Sequence, residues 1–147
     1  MKSEAQTCLL AFVIALLLAG PVYAGPMEDA ATAYEREDYA TAYRLYLQLA
    51  DQGNLAAEYN LGVLYSRGQG LPQDDAEAAR WWRQAADQGY ADAQFFLGLM
   101  CFSGRGVQQN DAEAAKWFRQ AADQGVAGAQ FSIGGGHACN VVCQDGV

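Results

Sequence analysis

The chain of 147 residues copies itself at an interval of 36. Residues 75–98, DAEAARWWRQAADQGYADAQFFLG, return as 111–134, DAEAAKWFRQAADQGVAGAQFSIG, with 18 of 24 positions identical. The tetrapeptide Ala-Asp-Gln-Gly stands at 50–53, again at 86–89 and again at 122–125. A unit this short cannot bury its apolar face alone. Copies in register therefore stack into one array, each layer packing only on its neighbours.

The pattern inside the unit is helical. One helix, here called helix A, is predicted over 54–66 and 91–103, and a second, helix B, over 75–88 and 111–124. Asp74-x-x-Glu77 and Asn110-x-x-Glu113 put a side-chain acceptor before each helix B and a carboxylate one turn in, as a capping box does. Gly53, Gly89 and Gly125 then occupy the position where a left-handed residue ends a helix. The glycine-rich segments Ser66–Pro72 and Ser103–Val107 follow a helix rather than a strand and lack the Lys-Ser/Thr of a nucleotide loop, so they read as chain reversals. In helix B, Ala78, Trp81, Trp82 and Ala85 share a face, as do Ala114, Trp117, Phe118 and Ala121. Gly62, Gly98 and Gly134 recur inside helix A, where glycine costs about 1 kcal/mol against alanine. Burying a ring against such a glycine contributes about 1.5–3 kcal/mol. The recurrence predicts close contact with a neighbouring aromatic.

Upstream, Asp38-Tyr39-Ala40-Thr41-Ala42 and Leu45-Tyr46 match helix B at the same offset, and Glu28 to Arg36 is expected to be its partner helix. The chain thus divides into a signal segment (1–24), a divergent helix-turn-helix cap (25–53), repeats at 54–89 and 90–125, and a partial repeat with a cysteine-containing tail (126–147). The expected fold is all-α, a solenoid of antiparallel helix pairs.

Residues 1–24 carry Lys2, an apolar run from Cys8 to Ala19, Pro21 and the small-residue site Val22-Tyr23-Ala24. A basic start, a short apolar run and a V-x-A ending describe a secretory signal with cleavage after Ala24. The alternative is an uncleaved anchor, which the run is short to support. Periplasmic or secreted localisation is expected, with no membrane insertion after cleavage. The formal charge of −8 argues against nucleic acid, which needs clustered lysine and arginine.

The spacing carried by Ala86, Gly89, Ala91, Ala93, Gln94, Leu97, Gly98, Gly104, Gly106 and Val107, continued by Asp111, Ala114, Trp117, Phe118, Ala121 and Ala122, resembles the Sel1-like repeat, a relative of the tetratricopeptide repeat. The similarity covers about 38–134 and departs at Cys101, where Tyr65 shows the usual residue. The resemblance implies a right-handed α-solenoid that binds proteins or peptides, without catalytic residues or cofactor. By analogy with tetratricopeptide units, Tyr59, Val63 and Ser66 of the first repeat and Phe95, Leu99 and Phe102 of the second would line a concave docking face. Phe96 would stand on its flank as an extra exposed aromatic. The competing reading of Tyr59 and Phe95 is ordinary packing between helices. A partner peptide and a second copy of the chain are both conceivable occupants, the third helix A, with Ser132 and Gly135, being expected to cover this surface poorly.

Gly134-Gly135-Gly136 breaks the pattern, and His137, Cys139 and Cys143 follow. With no fourth ligand, a disulfide among Cys139, Cys143 and Cys101 suits an oxidising compartment better than a metal site. Some cysteine-rich relatives of the resembled family are linked to β-lactam binding or hydrolysis, an alternative function for an envelope protein. Those pair cysteines within every repeat, which this chain does not, and no Ser-x-x-Lys motif occurs.

Overall fold

The structure, a computed structural model, describes residues 25–134. Among them are seven helices and no strand: α1 (Pro26–Glu35), α2 (Tyr39–Ala50), α3 (Leu55–Arg67), α4 (Asp75–Asp87), α5 (Ala91–Ser103), α6 (Asp111–Asp123) and α7 (Ala127–Gly134). Extensive helix packing joins only neighbours in sequence, from α1 on α2 to α6 on α7. This is the contact pattern of a layered array.

The caps hold the units in step. Asp38, Asn54, Asp74 and Asn110 each accept a backbone N–H in the first turn of the helix they precede. Only half of the expected capping box forms. Glu77 pairs with Arg80 at 2.8 Å and Glu113 with Arg83 at 2.8 Å, so neither carboxylate turns back to the cap. At the other end Gly89 and Gly125 have φ of 93° and 91°. Tyr90 then donates to the Ala85 carbonyl at 3.0 Å and Val126 to Ala121 at 3.1 Å, closing each helix in the Schellman manner. The A-to-B loop does more than reverse the chain. Gly106 lies so close to the Asp75 carbonyl that a Cβ would overlap it, and Arg105 clamps the Asp75 carboxylate beside it at 2.9 Å. This loop thus also fixes the distance to the preceding layer.

The core falls into two clusters, and adjacent tryptophans divide between them. Trp81 packs with Ala42, Tyr46, Leu61 and Leu64 towards the N-terminal layers. Trp82 packs with Leu97, Met100, Trp117 and Phe118. Trp82 is also the ring seated on Gly62, and its Nε1 donates to the Tyr59 carbonyl at 3.1 Å. Phe118 sits on Gly98 in the same way. The glutamine of Ala-Asp-Gln-Gly ties successive helices together. Gln124 donates to Gln94 Oε1 at 2.8 Å, and buried Gln94 donates to the Ala86 carbonyl at 3.2 Å. In the preceding unit the equivalent of Gln94 is Glu58, buried at 1 % exposure, whose carboxylate accepts from the Gln84 amide at 2.8 Å and from Gln88.

The two seams between layers differ. In the first, the Tyr43 and Tyr65 hydroxyls meet at 3.2 Å, a bond that, with burial, pushes the Tyr65 phenol up to about 12. At the equivalent places of the second stand Ala79 and the fully buried Cys101, whose thiol burial also pushes up. There Arg83 supplies the polar link instead, donating to a Glu113 carboxylate that also accepts from Trp117 Nε1 at 3.3 Å. Leu47 replaces that arginine in the first seam. Glu77 turns to Arg80, and Trp81 Nε1 is left buried with no acceptor among the described residues.

Residues 1–24, expected to be a signal segment, and Gly135, His137, Cys139 and Cys143 lie outside the described residues. Cys101 is a free, buried thiol among the described ones.

Candidate functional site

The C-terminal halves of α3 and α5 run side by side and leave a groove of about 240 Å³ between them. Trp82, Phe96, Leu99 and Met100 supply an apolar floor, and Ser66 and Ser103 stand along the walls. Both serine hydroxyls are already engaged, Ser66 with the Val63 carbonyl at 3.0 Å and Ser103 with Leu99 at 2.8 Å. Each hydroxyl thus donates to a backbone carbonyl of its own helix rather than to a side-chain base. The site can offer shape, apolar contact and the guanidiniums of two lining arginines, Arg67 and Arg105.

The residues expected to line a docking face separate into two groups. Leu99 and Phe102 are exposed, at 37 % and 38 %, and Leu99 lines the groove. Tyr59, Val63, Phe95 and Phe96 are half-buried and pack against the core. Phe96 does not stand exposed on the flank as expected. It is wedged between Trp82, with ring centroids 5.0 Å apart, Tyr59 at 5.8 Å and Phe95 at 5.5 Å. Its turn of about 100° from Phe95 carries it into the seam rather than to the flank. Tyr59 also faces Tyr90 at 5.5 Å, and burial pushes its phenol up.

Phe95 reaches across to Phe118 and lies over Gly128 of α7, where a Cβ would come within 2.8 Å of the ring. The third helix A therefore covers Phe95, where poor cover was expected, while Leu99 and Phe102 stay exposed. A residue without a side chain is what admits the ring. Phe131, one repeat after Phe95, has no further layer upon it among the described residues and is 80 % exposed.

Sequence reasoning missed the two arginines on the groove, Arg67 and Arg105. Arg67 ends α3 and donates to the Tyr34 hydroxyl at 3.0 Å. Arg105 holds Asp75 side-on through Nε and Nη2. Their one signal was position: both flank the glycine loops at places where the repeats differ, Ser103 answering to Arg67 and Gln69 to Arg105. Among the described residues no group of three histidine, cysteine or acidic side chains is placed to hold a metal ion, and no helix is long and apolar enough to cross a membrane.

Stacked helix pairs with a groove between layers define a helical repeat scaffold. Comparison with known proteins gives the family. The Sel1 repeat matches residues 32–54, 55–90 and 91–126, and the chain belongs to the Sel1 repeat family. Members of that family are generally non-catalytic scaffolds for protein interaction. No curated protein matches the chain. Among solved structures it is similar to a protective antigen of uropathogenic Escherichia coli strains (45 % identity, TM-score 0.63, 64 % of this chain and 20 % of the antigen). It is also similar to a Sel1 repeat protein of Oxalobacter formigenes (36 %, TM-score 0.69, 74 % of this chain and 43 % of that one). The cysteine rich protein B of Helicobacter pylori shares the fold at 19 % identity and TM-score 0.59, over 71 % of this chain and 94 % of its own. The chain thus spans a fifth of the first relative and less than half of the second.

Proposed function

We propose that the protein is an exported, non-catalytic scaffold that holds a partner protein or peptide on the concave face lined by the A helices, α3 and α5. The observation that carries this reading is the pair of exposed apolar side chains, Leu99 and Phe102, beside an apolar groove in a chain whose other large aromatics are mostly committed to packing. Apolar surface left over after packing marks an interaction site. Tyr59, Val63, Phe95 and Phe96 support that face from below, and Ser66 edges it. Family membership supports a binding role, and residues 1–24 support export.

The test is a paired measurement on Phe102→Ser. Capture of partners from envelope extracts, read by mass spectrometry, should fall while the thermal midpoint stays within about 2 °C, as for a surface change. Unfolding would make Phe102 core, and unchanged capture would place the contact elsewhere. For export, N-terminal sequencing of the native protein should begin at Gly25. A mature chain that keeps Met1 would remove the localisation.

A further inference from the structure

We infer that the occupant of the α3–α5 groove is a peptide segment that carries a large apolar side chain next to an acidic one, the apolar group on the Trp82, Phe96, Leu99 and Met100 floor and the carboxylate on Arg67 and Arg105. This rests on the docking reading above and specifies its ligand. The motive is charge. Carboxylates outnumber cations 17 to 9 in this chain, yet both charged residues on the groove are arginines. The other arginines with a carboxylate partner, Arg80 and Arg83, are paired along or between B helices.

The donor inventory fits an incoming carboxylate. Arg67 has no carboxylate partner among the described residues; its contact is the neutral Tyr34 hydroxyl, which is itself occupied in donating to Gln69 Oε1 at 2.9 Å. Arg67 therefore keeps Nε and Nη2 for a ligand. Arg105 is fixed by Asp75, which uses Nε and Nη2 and leaves Nη1. A guanidinium presents five N–H donors in a rigid fork, so a side-on pair to one carboxylate still leaves donors for a second. Two carboxylates of α4 are already committed, Asp75 to Arg105 and Glu77 to Arg80.

The size fits one large side chain. A space of about 240 Å³ is below the range of pockets that enclose a drug-sized molecule, about 300–1,000 Å³, and suits a single phenylalanine-sized or leucine-sized anchor. The source of the carboxylate is also constrained. α3 and α5 both end at this groove, at Arg67 and Ser103, and helix C-termini present carbonyls and a partial negative charge. A chain-terminal carboxylate held close to the backbone would meet those carbonyls. An aspartate or glutamate side chain has the reach to meet the guanidiniums from the solvent side.

The probe is a randomised linear peptide library displayed on phage and selected on the purified chain. Wild type should enrich a large apolar residue with aspartate or glutamate within two positions. Arg67→Glu should shift that neighbour to lysine or arginine while keeping the apolar residue. Arg67→Ala should weaken a synthetic selected peptide about two- to fivefold, the scale of an exposed ion pair. Leu99→Ser should abolish enrichment. Enrichment of an apolar residue with neutral or basic neighbours on wild type, or the same acidic preference on Arg67→Glu, would overturn the assignment and leave the docking face standing. No enrichment on wild type, with circular dichroism and thermal midpoint intact, would overturn the docking face and the ligand together.

Discussion

The contact between Gly98 and Phe118 can be tested as a free energy. An alanine Cβ at 98 would stand 2.7 Å from Phe118 Cε1 and 2.8 Å from Cδ1. Carbon atoms in good contact sit about 3.5–4.0 Å apart, so the ring would have to yield by close to an ångström. It has little room, being 3 % exposed with the Phe95 ring against it at 5.9 Å between centroids. Overpacking of this kind costs about 1–3 kcal/mol. Alanine returns about 1 kcal/mol of helix propensity. Gly98→Ala should therefore destabilise by about 0–2 kcal/mol, although the same change in an open helix would stabilise. In a Phe118→Leu background the obstacle shrinks, and Gly98→Ala should become neutral or stabilising by up to about 1 kcal/mol. The cycle then shows a coupling of about 1–2 kcal/mol, within the range for side chains in contact. Urea unfolding followed by fluorescence suits the measurement, because Trp81, Trp82 and Trp117 are all buried and should report together. If Gly98→Ala raises stability in the wild-type chain, or if the two changes simply add, the glycine is not there to seat the ring.

Two further outcomes follow from the polar seams. Glu58→Gln should raise stability by about 1 kcal/mol in the same urea assay, since it replaces a buried carboxylate, bonded only to amides, by the residue the next repeat uses at Gln94; a loss would mean that the carboxylate is the better acceptor for Gln84 and Gln88. Glu113 has its carboxyl held below the usual glutamate range by the hydrogen bond from Arg83. A depressed acid contributes stability that is complete above the unfolded value, about 4.3, and is lost as pH falls through the lower folded value. Thermal midpoints should accordingly fall more steeply below pH 4 in wild type than in Arg83→Leu, which copies Leu47 of the first seam, and parallel profiles would refute the link.

The helices and their phase were legible in the sequence because both are local or periodic. A cap acts within four residues, a C′ glycine within one turn, and the 36-residue period repeats each signal until chance is excluded. Even the ring on the helix A glycine was legible, since a propensity cost met at the same position of every repeat has to be offset by packing at that position. Side-chain destinations were not. Trp81 and Trp82 are adjacent and chemically alike, and only the stacking of layers on both sides of α4 sends one to each cluster. Phe96 looked surplus because Asn60 stands one repeat before it, but the approach of α3 and α4 turns it into the seam against Tyr59 and Trp82. Whether α7 would cover Phe95 depended on the missing side chain of Gly128 across a helix pair. Arg67 and Arg105 lie 38 positions apart and meet at one groove because successive layers align the ends of α3 and α5. Periodicity specifies the layer. The distance and rotation between layers, which only packing sets, decide what is left at the surface to bind.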